Sequence, residues 1–210
     1  MRKLLFESLR LCAFVFGFVG VFGPDGQAQS DVNHWEAIVL DGSSWDYLVP
    51  NSQPASTWQD PGFDATSWPQ GISGFGYGDG DDATVIESTM SIYLRHQFEV
   101  ENIDDWVDAV FSMDYDDGFV AYLNGIEIAR GNTGLPGDFV AWNQDLTIDH
   151  EAVLYTGGTP AFFDFDFGSL VVEGMNTVAI EVHNANPWSS DLTARPFLFL
   201  GTLDEGLTYS

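Results

Sequence analysis

Apolar and polar residues alternate with a period of two through much of residues 31–210. Ile92, Leu94, Phe98 and Val100 share one face of such a segment, and Tyr93, Arg95, Gln97 and Glu99 share the other. The pattern recurs in residues 107–113 and 178–182. A period of two is typical of half-buried strands, and no apolar pattern at helical spacing continues beyond a turn or two. The sequence therefore predicts an all-β fold.

Asn124 and Gly125 separate two apolar runs, residues 119–123 and 126–128. An Asn-Gly pair in this position predicts a two-residue hairpin turn, since both central residues need positive φ. Further strands are predicted at residues 36–40, 152–155 and 196–203. This many antiparallel strands indicates a two-sheet jelly-roll sandwich that forms one domain over residues 31–210.

Two long connections, residues 50–91 and 129–150, interrupt the strands. The first contains several aromatic residues, which favours a compact loop pinned to the sandwich by its own side chains. Most of the tryptophans are accordingly expected to be core or loop anchors, namely Trp45, Trp58, Trp68 and Trp106.

Residues 1–28 read as a signal peptide. Arg2 and Lys3 precede an apolar run over residues 11–22, and small residues, Gly26 and Ala28, follow at a suitable cleavage site. The apolar run is shorter than the roughly 20 residues that a membrane-spanning helix needs. We therefore expect a bacterial protein that is secreted, either extracellular or at the cell surface, with no membrane contact after cleavage.

The chain has 32 acidic residues against 6 lysines and arginines, a formal net charge of −26. Such a surface repels phosphate backbones and anionic headgroups, which excludes nucleic acid and anionic membranes as partners. Calcium, neutral ligands such as carbohydrates, and a cell-surface protein remain as candidate partners. Oligomeric state is left open by the sequence.

Two acidic clusters offer the hard oxygen ligands that calcium prefers. They are Asp79, Asp81 and Asp82 in a glycine-rich loop, and Asp114, Asp116 and Asp117 before Gly118. Neither has the glutamate that closes an EF-hand loop. The alternative is that these residues form turns and accept hydrogen bonds from backbone N–H groups.

Several short motifs occur in the order found in galactose-binding-like jelly-roll modules of secreted bacterial multidomain proteins, and the chain resembles those modules over roughly residues 35–203. The motifs are Trp58, Phe63-Asp64, Trp68, Gly76-Tyr77-Gly78-Asp79, Tyr93-Leu94-Arg95, Asp114 to Gly118, Tyr122 to Gly125, Arg130, Gly174-Met175-Asn176, His183-Asn184 and Ser189-Ser190-Asp191. The chain is also similar to the sugar-binding jelly roll of family 2 glycoside hydrolases. The resemblance implies a carbohydrate binder, a spacer or an enzyme accessory domain. It also implies that Asp116 ties its turn to Asn124 or Ser190, as an alternative to holding a metal.

Sugar binding requires an aromatic face that stacks on the ring and polar groups that bond its hydroxyls. Trp142 and Trp188 lie in predicted loops, which border the site in the resembling modules. The candidate polar contacts are Arg95, Asn124, Arg130, His183, Asn184 and Asp191. For Arg95 the alternative is neutralisation of a neighbouring carboxylate, and for His183 it is a structural hydrogen bond.

Catalytic motifs are scarce in the sequence. The four histidines lack zinc-ligand spacing, and no Gly-x-Ser-x-Gly element occurs. A glycosidase needs only two facing carboxylates, so that reading stays as the weakest alternative. The favoured function is a non-catalytic carbohydrate-binding or accessory module, and the rival is a protein-interaction module of a cell-surface assembly.

Overall fold

The computed structural model of the chain describes residues 32–203. The signal peptide predicted for residues 1–28 lies outside them. Twelve strands occur in the described part: β1 (His34–Val39), β2 (Ser44–Leu48), β3 (Gln70–Ile72), β4 (Phe75–Tyr77), β5 (Thr84–Val85), β6 (Ser91–Val100), β7 (Trp106–Asp116), β8 (Gly118–Leu123), β9 (Ile126–Gly131), β10 (Ala161–Asp164), β11 (Gly174–His183) and β12 (Leu192–Thr202). The helices are α1 (Phe167–Leu170) and two 3₁₀ turns, Ile103–Asp105 and Leu154–Thr156.

The strands form two sheets. The first has the order β10-β7-β12-β4-β5, with β1 also pairing with β12, and the second has the order β3-β2-β6-β11-β8-β9. Among the described strand pairs, β4 and β5 run parallel and the others antiparallel. The first strand pairs with the last, and His34 lies opposite Thr202. The prediction of an all-β jelly-roll sandwich is confirmed.

The main core lies between the two sheets. It contains the apolar face predicted for β6, in which Ile92 and Leu94 are fully buried. Alternating residues of β7 and β11 also contribute their side chains to it. Each such side chain contributes roughly 1.5–3 kcal/mol when it leaves water. Among the described residues, no helix has the length and apolar content needed to cross a bilayer.

The hairpin between β8 and β9 turns at the two predicted residues. Asn124 has φ 51° and Gly125 has φ 84°, so both occupy the left-handed region. A Cβ on Gly125 would lie 3.0 Å from Asp60 Oδ1, which adds a steric limit to the conformational one.

Residues 50–69 cover the outer face of the second sheet. Trp58 packs against Tyr93 and Ala179 there, and Phe63 and Trp68 pack around them. The Trp58 and Tyr93 rings meet edge to face with their centroids 4.8 Å apart. The predicted pinning of this connection by its aromatic residues is therefore confirmed. Trp45 is also buried, and Trp106 packs against the main core.

Two parts of the strand prediction are wrong. Residues 152–155 contain no strand, because the Asp114 carboxylate accepts the N–H groups of Val153 and Leu154, at 2.8 and 3.0 Å, and the chain turns there. Conversely, the long connection over residues 50–91 contains β3, β4 and β5, which are too short to show a period. Strands β2 and β10 were not predicted either.

Candidate functional site

Four connections meet at one end of the sandwich. His183, the last residue of β11, lies opposite Gly118 at the start of β8 and Ser91 at the start of β6. In the other sheet, Leu192 at the start of β12 lies opposite Tyr77 at the end of β4. These pairings bring together residues 78–83, the Asp117 turn, and residues 132–160 and 184–191. We call this region the loop end.

Asp117 holds three of these connections together. Its Oδ1 accepts the His150 N–H at 2.9 Å, its Oδ2 accepts the Ala185 N–H at 2.6 Å, and its carbonyl oxygen accepts the Asn132 amide at 3.1 Å. Both carboxylate oxygens thus accept hydrogen bonds from the backbone. The tie that the resemblance implies for Asp116 is made by the neighbouring Asp117, to His150 and Ala185 rather than to Asn124 or Ser190.

Asp114 is used in the same way. One carboxylate oxygen accepts the Val153 N–H and the other accepts the Leu154 N–H. The Asp114 carboxylate thus fixes the turn at Val153 and Leu154.

Asp116 lies in a different environment, with only 3% of its surface exposed. Its carboxylate gathers with those of Glu151 and Asp191, and oxygen atoms of the three groups lie within 4.8 Å of one another. Burial, followed by the charges of Asp117 and Asp191, raises the pKa of Asp116 to about 8. The spacing of acidic residues in the sequence could not predict that Glu151 belongs to this group, because Glu151 is far along the chain from Asp116 and Asp191.

The first acidic cluster is brought together as predicted. Oxygen atoms of Asp79, Asp81 and Asp82 lie within 4.8 Å of one another, and burial together with the neighbouring acids raises the pKa of Asp82 to about 7. Protein donors partly balance this charge. Arg195 Nη1 lies 3.4 Å from Asp81 Oδ2, and Thr193 Oγ1 donates to Asp79 Oδ2 at 3.2 Å.

Two aromatic side chains of the loop end are more than 70% exposed to solvent. Trp188 is 87% exposed, and Phe139 is 74% exposed. Phe139 lines a depression of about 350 Å³ together with Asn132, Thr133, Gly134, Asp138, Gln144, Asp145, Leu146 and Thr147. The Leu146 N–H donates to the Ala185 carbonyl at 2.9 Å, which joins the wall of the depression to the Trp188 loop. Phe139 lacked any sequence signal beyond its position in a long connection.

Trp142 is half-buried and packs against the cluster that contains Trp58 and Tyr93. Its backbone is fixed on both sides, because its N–H donates to Gln53 Oε1 at 2.9 Å and its carbonyl accepts Ser91 Oγ at 2.7 Å. Trp142 therefore packs on the outer face of the second sheet, and its side chain is less exposed to solvent than that of Trp188.

Arg95 is 3% exposed. Its guanidinium donates to the carbonyls of Trp58 and Asp60 and lies 5.3 Å from the centroid of the Phe63 ring. Burial lowers the pKa of Arg95. These contacts hold residues 58–63 on the sheet, which gives Arg95 a structural role beneath this loop.

Arg130 and Asn124 are also engaged within the protein. Arg130 makes two hydrogen bonds of 2.9 Å to the Glu127 carboxylate and donates to the carbonyls of Thr133 and Asp138. Asn124 donates from its side chain to the carbonyl of Leu170 at 2.9 Å. Both side chains are partly buried, and these hydrogen bonds fix their orientation within the protein.

His183 and Asn184 are buried beneath the loop end. His183 Nε2 lies 3.3 Å from Glu181 Oε2, and the Tyr122 hydroxyl donates to Glu181 Oε1 at 3.0 Å. Asn184 Nδ2 donates to the Tyr77 hydroxyl at 2.8 Å. The two predicted binding residues support the loops from below, whereas Asp191, three residues after Trp188, is half-buried and lies beside Asp116 and Glu151.

No protein-family model and no curated protein matches the chain. Among solved structures it is similar to a β-glucuronidase from glycoside hydrolase family 2, with a TM-score of 0.50 and 15% identity over 84% of this chain and 18% of that one. It is likewise similar to a β-glucuronidase from an uncultured Clostridium species, with a TM-score of 0.50 and 14% identity over 86% of this chain and 31% of that one. The likeness shows a shared fold, and the chain spans less than a third of either neighbour.

Proposed function

We propose that the chain is a secreted, non-catalytic accessory module that binds a carbohydrate at the loop end. The observation that carries this proposal is the depression of about 350 Å³ beside Phe139, joined through Leu146 to the loop that presents Trp188. The volume lies within the range of small-molecule sites, which is roughly 300–1,000 Å³.

The chemistry of this surface suits a sugar. An exposed aromatic ring stacks on the C–H face of a pyranose, and side chains such as Gln144, Asp145 and Thr147 supply hydrogen-bond partners for its hydroxyls. The net charge of −26 disfavours anionic ligands, so a neutral saccharide is proposed.

The structural neighbours support an accessory role. They are glycoside hydrolases, and the chain matches only 18% and 31% of their lengths. Facing carboxylates of a glycosidase must both reach the substrate, whereas Asp116 is buried beside Glu151 and Asp191. We therefore propose that these acids stabilise the loop end, with calcium as the ion that compensates their charge.

A glycan array tests the binding proposal. Chain lacking residues 1–28 is expected to bind a neutral glycan, and Trp188→Ala or Phe139→Ala is expected to weaken binding about tenfold, because stacking on an aromatic ring is lost. Phe162→Ala is the matched control, since Phe162 is an exposed aromatic on strand β10. Unchanged binding in both loop-end variants would refute the proposed site, and the absence of any glycan ligand would refute the proposed function.

A protein-interaction module is the second candidate, favoured by the outer face of the first sheet. Strand register places Trp35, Phe162, Phe197 and Phe199 on this face. Trp35 and Phe162 are exposed, and exposed apolar surface of this kind often marks a protein contact. If this candidate holds, Phe162→Asp should abolish an association that Trp188→Ala leaves intact, as measured by analytical ultracentrifugation with the partner.

A further inference from the structure

We infer that Arg130 is the positioning residue of the Phe139 platform, because it holds both ends of the loop formed by residues 133–138. This role rests on the proposed carbohydrate site and deepens it. Arg130 shapes the depression without touching the sugar, and Phe139 makes the contact.

The Arg130 guanidinium is fully committed to acceptors of the protein. Two hydrogen bonds of 2.9 Å join its Nε and Nη2 to the Glu127 carboxylate. Its Nη1 donates to the carbonyl and the hydroxyl of Thr133, at 2.7 and 3.3 Å, and its Nη2 donates to the Asp138 carbonyl at 2.8 Å. These five bonds equal the number of N–H donors in a guanidinium, and only 6% of the side chain is exposed. Arg130 is therefore built to act on the loop rather than on a ligand.

The two carbonyls that Arg130 binds lie at the ends of the loop. Thr133 and Asp138 both line the depression, and the Asp138 carbonyl belongs to the peptide group that joins Asp138 to Phe139. Glu127 holds the loop between these ends, since its Oε2 accepts the Gly137 N–H at 3.0 Å. The Glu127–Arg130 pair thus fixes the peptide group directly before Phe139.

The bonds that the loop makes within itself do not attach it to the sandwich. The Asp138 N–H donates to the Leu135 carbonyl at 3.0 Å, and the Leu135 N–H donates to the Asp138 carboxylate at 2.8 Å. At the start of the loop, Thr133 Oγ1 also donates to the Phe119 carbonyl at 3.0 Å. At its end, the hydrogen bond to the sandwich runs through Arg130.

The composition of the loop makes this attachment important. Gly134 and Gly137 both have positive φ, 96° and 84°, and residues 134–139 are exposed. Glycines in an exposed segment leave the backbone many alternative conformations. A platform that is already ordered costs a ligand less entropy on binding than one that must first be ordered. Arg130 is therefore expected to raise affinity through the order of the loop.

Arg195 offers a matched control. It is also partly buried and pairs with carboxylates, those of Asp41 at 3.1 Å and Asp81 at 3.4 Å. Lysine at either position keeps the positive charge but replaces the planar fork by one ammonium with three donors. An effect of Arg130→Lys that Arg195→Lys does not share therefore reports the fork in the Phe139 loop, not the loss of an arginine.

Hydrogen exchange tests the positioning role without a ligand. The hydrogen-bonded amides of Leu135, Gly137 and Asp138 should exchange at least about tenfold faster in Arg130→Lys than in the wild type, and at the wild-type rate in Arg195→Lys. Equal exchange in Arg130→Lys and the wild type would overturn the inference. So would an equal acceleration of the β6 amides, since the whole sandwich would then be weakened. Glu127→Gln removes the charge that holds Arg130 and should act in the same direction, which keeps the test open if Arg130→Lys fails to fold.

A double-mutant cycle on affinity tests whether Arg130 acts through Phe139. The probe is the neutral glycan that the wild type binds most strongly on the array, titrated by calorimetry. Arg130→Lys should weaken its binding about tenfold, as Phe139→Ala does, and the double variant should bind no more weakly than Phe139→Ala alone. If Arg130→Lys weakens binding as much in the Phe139→Ala background as in the wild type, Arg130 does not act through Phe139 and the inference is overturned.

The failures of the two proposals are distinguishable. If the wild type binds no glycan, the proposed function fails, and exchange alone decides whether Arg130 holds the loop. If the wild type binds a glycan and Arg130→Lys changes neither the affinity nor the exchange of the loop, carbohydrate binding stands and the positioning role is overturned.

Discussion

Asn124 donates from Nδ2 to Asn176 Oδ1 at 2.8 Å, and this bond joins the β8–β9 turn to strand β11. Asn176 is fully buried, and its amide also bonds the N–H and the carbonyl of Val172 and the carbonyl of Gly174. One buried side chain thus satisfies backbone groups on both sides of the entry to β11.

Replacing Asn176 should therefore be severe. Asn176→Ala leaves several buried polar groups unpaired and is expected to lower the free energy of unfolding by about 2–4 kcal/mol. Denaturant titration measures this loss, with Asn143→Ala in an exposed loop as the control. A loss below about 0.5 kcal/mol would mean that water replaces the side chain without cost.

The hairpin turn makes a second prediction. Gly125→Val should destabilise the fold by about 1–3 kcal/mol, because valine resists positive φ and its Cβ would approach Asp60. Gly62→Val is the control, since its Cβ would meet nothing within 4 Å. The midpoint of chemical denaturation compares the two, and equal midpoints would contradict the assigned turn.

Asp117→Ala should destabilise the loop end whether or not calcium is present. Two backbone N–H groups, those of His150 and Ala185, lose their acceptor, which costs about 1–3 kcal/mol. Asp145→Ala, an exposed acid in the adjacent loop, is expected to change little. Thermal unfolding in a chelator and in calcium chloride checks both variants; a loss seen only in calcium would instead indicate that Asp117 is a metal ligand.

The Glu127–Arg130 pair predicts a pH dependence. Hydrogen bonds from Arg130 hold the pKa of Glu127 below its ordinary value. The pair therefore stabilises the fold above that value, and the contribution is lost as the pH falls below about 4 and the carboxylate is protonated. Glu127→Gln should be less stable than the wild type at pH 7, and the difference should shrink toward pH 3. A difference in melting temperature independent of pH would show that packing, not charge, is responsible.

Net charge makes the last prediction. At −26 the surface repels itself, so raising sodium chloride from 10 to about 150 mM should screen the repulsion and raise the melting temperature by about 2–5 °C. Differential scanning calorimetry measures the shift. A melting temperature that falls with salt would indicate that the ion pairs of the few arginines outweigh the repulsion.

Much of the fold could be predicted because the period of two is a local property. In β6, Ile92 and Leu94 lie in the core and Tyr93 lies on the outer face, as their alternation requires. The Asn-Gly turn was predictable for the same reason. Strands of two or three residues, such as β3 to β5, contain too few positions for a period.

The site was less predictable because its contacts join distant segments. Nothing in the spacing distinguishes Asp117, which holds backbone amides, from its neighbour Asp116, which does not. Glu151 follows His150, whose N–H is held by Asp117, and this contact between distant segments has no signal in the sequence. Arg95 lies on the outer face of β6, as the alternation predicts. Its side chain is covered by residues 58–63 and does not reach solvent.

The pairing of His34 with Thr202 fixes where the sandwich can be attached to something else. Strand β12 runs away from the loop end for eleven residues, so Thr202 lies roughly 30 Å from it at about 3.3 Å per residue. A bead, sensor surface or reporter protein joined just after Thr202 therefore lies at the end of the sandwich opposite the loop end. His34 and Thr202 lie side by side there, and a protein immobilised in this way would present Trp188 and Phe139 outward.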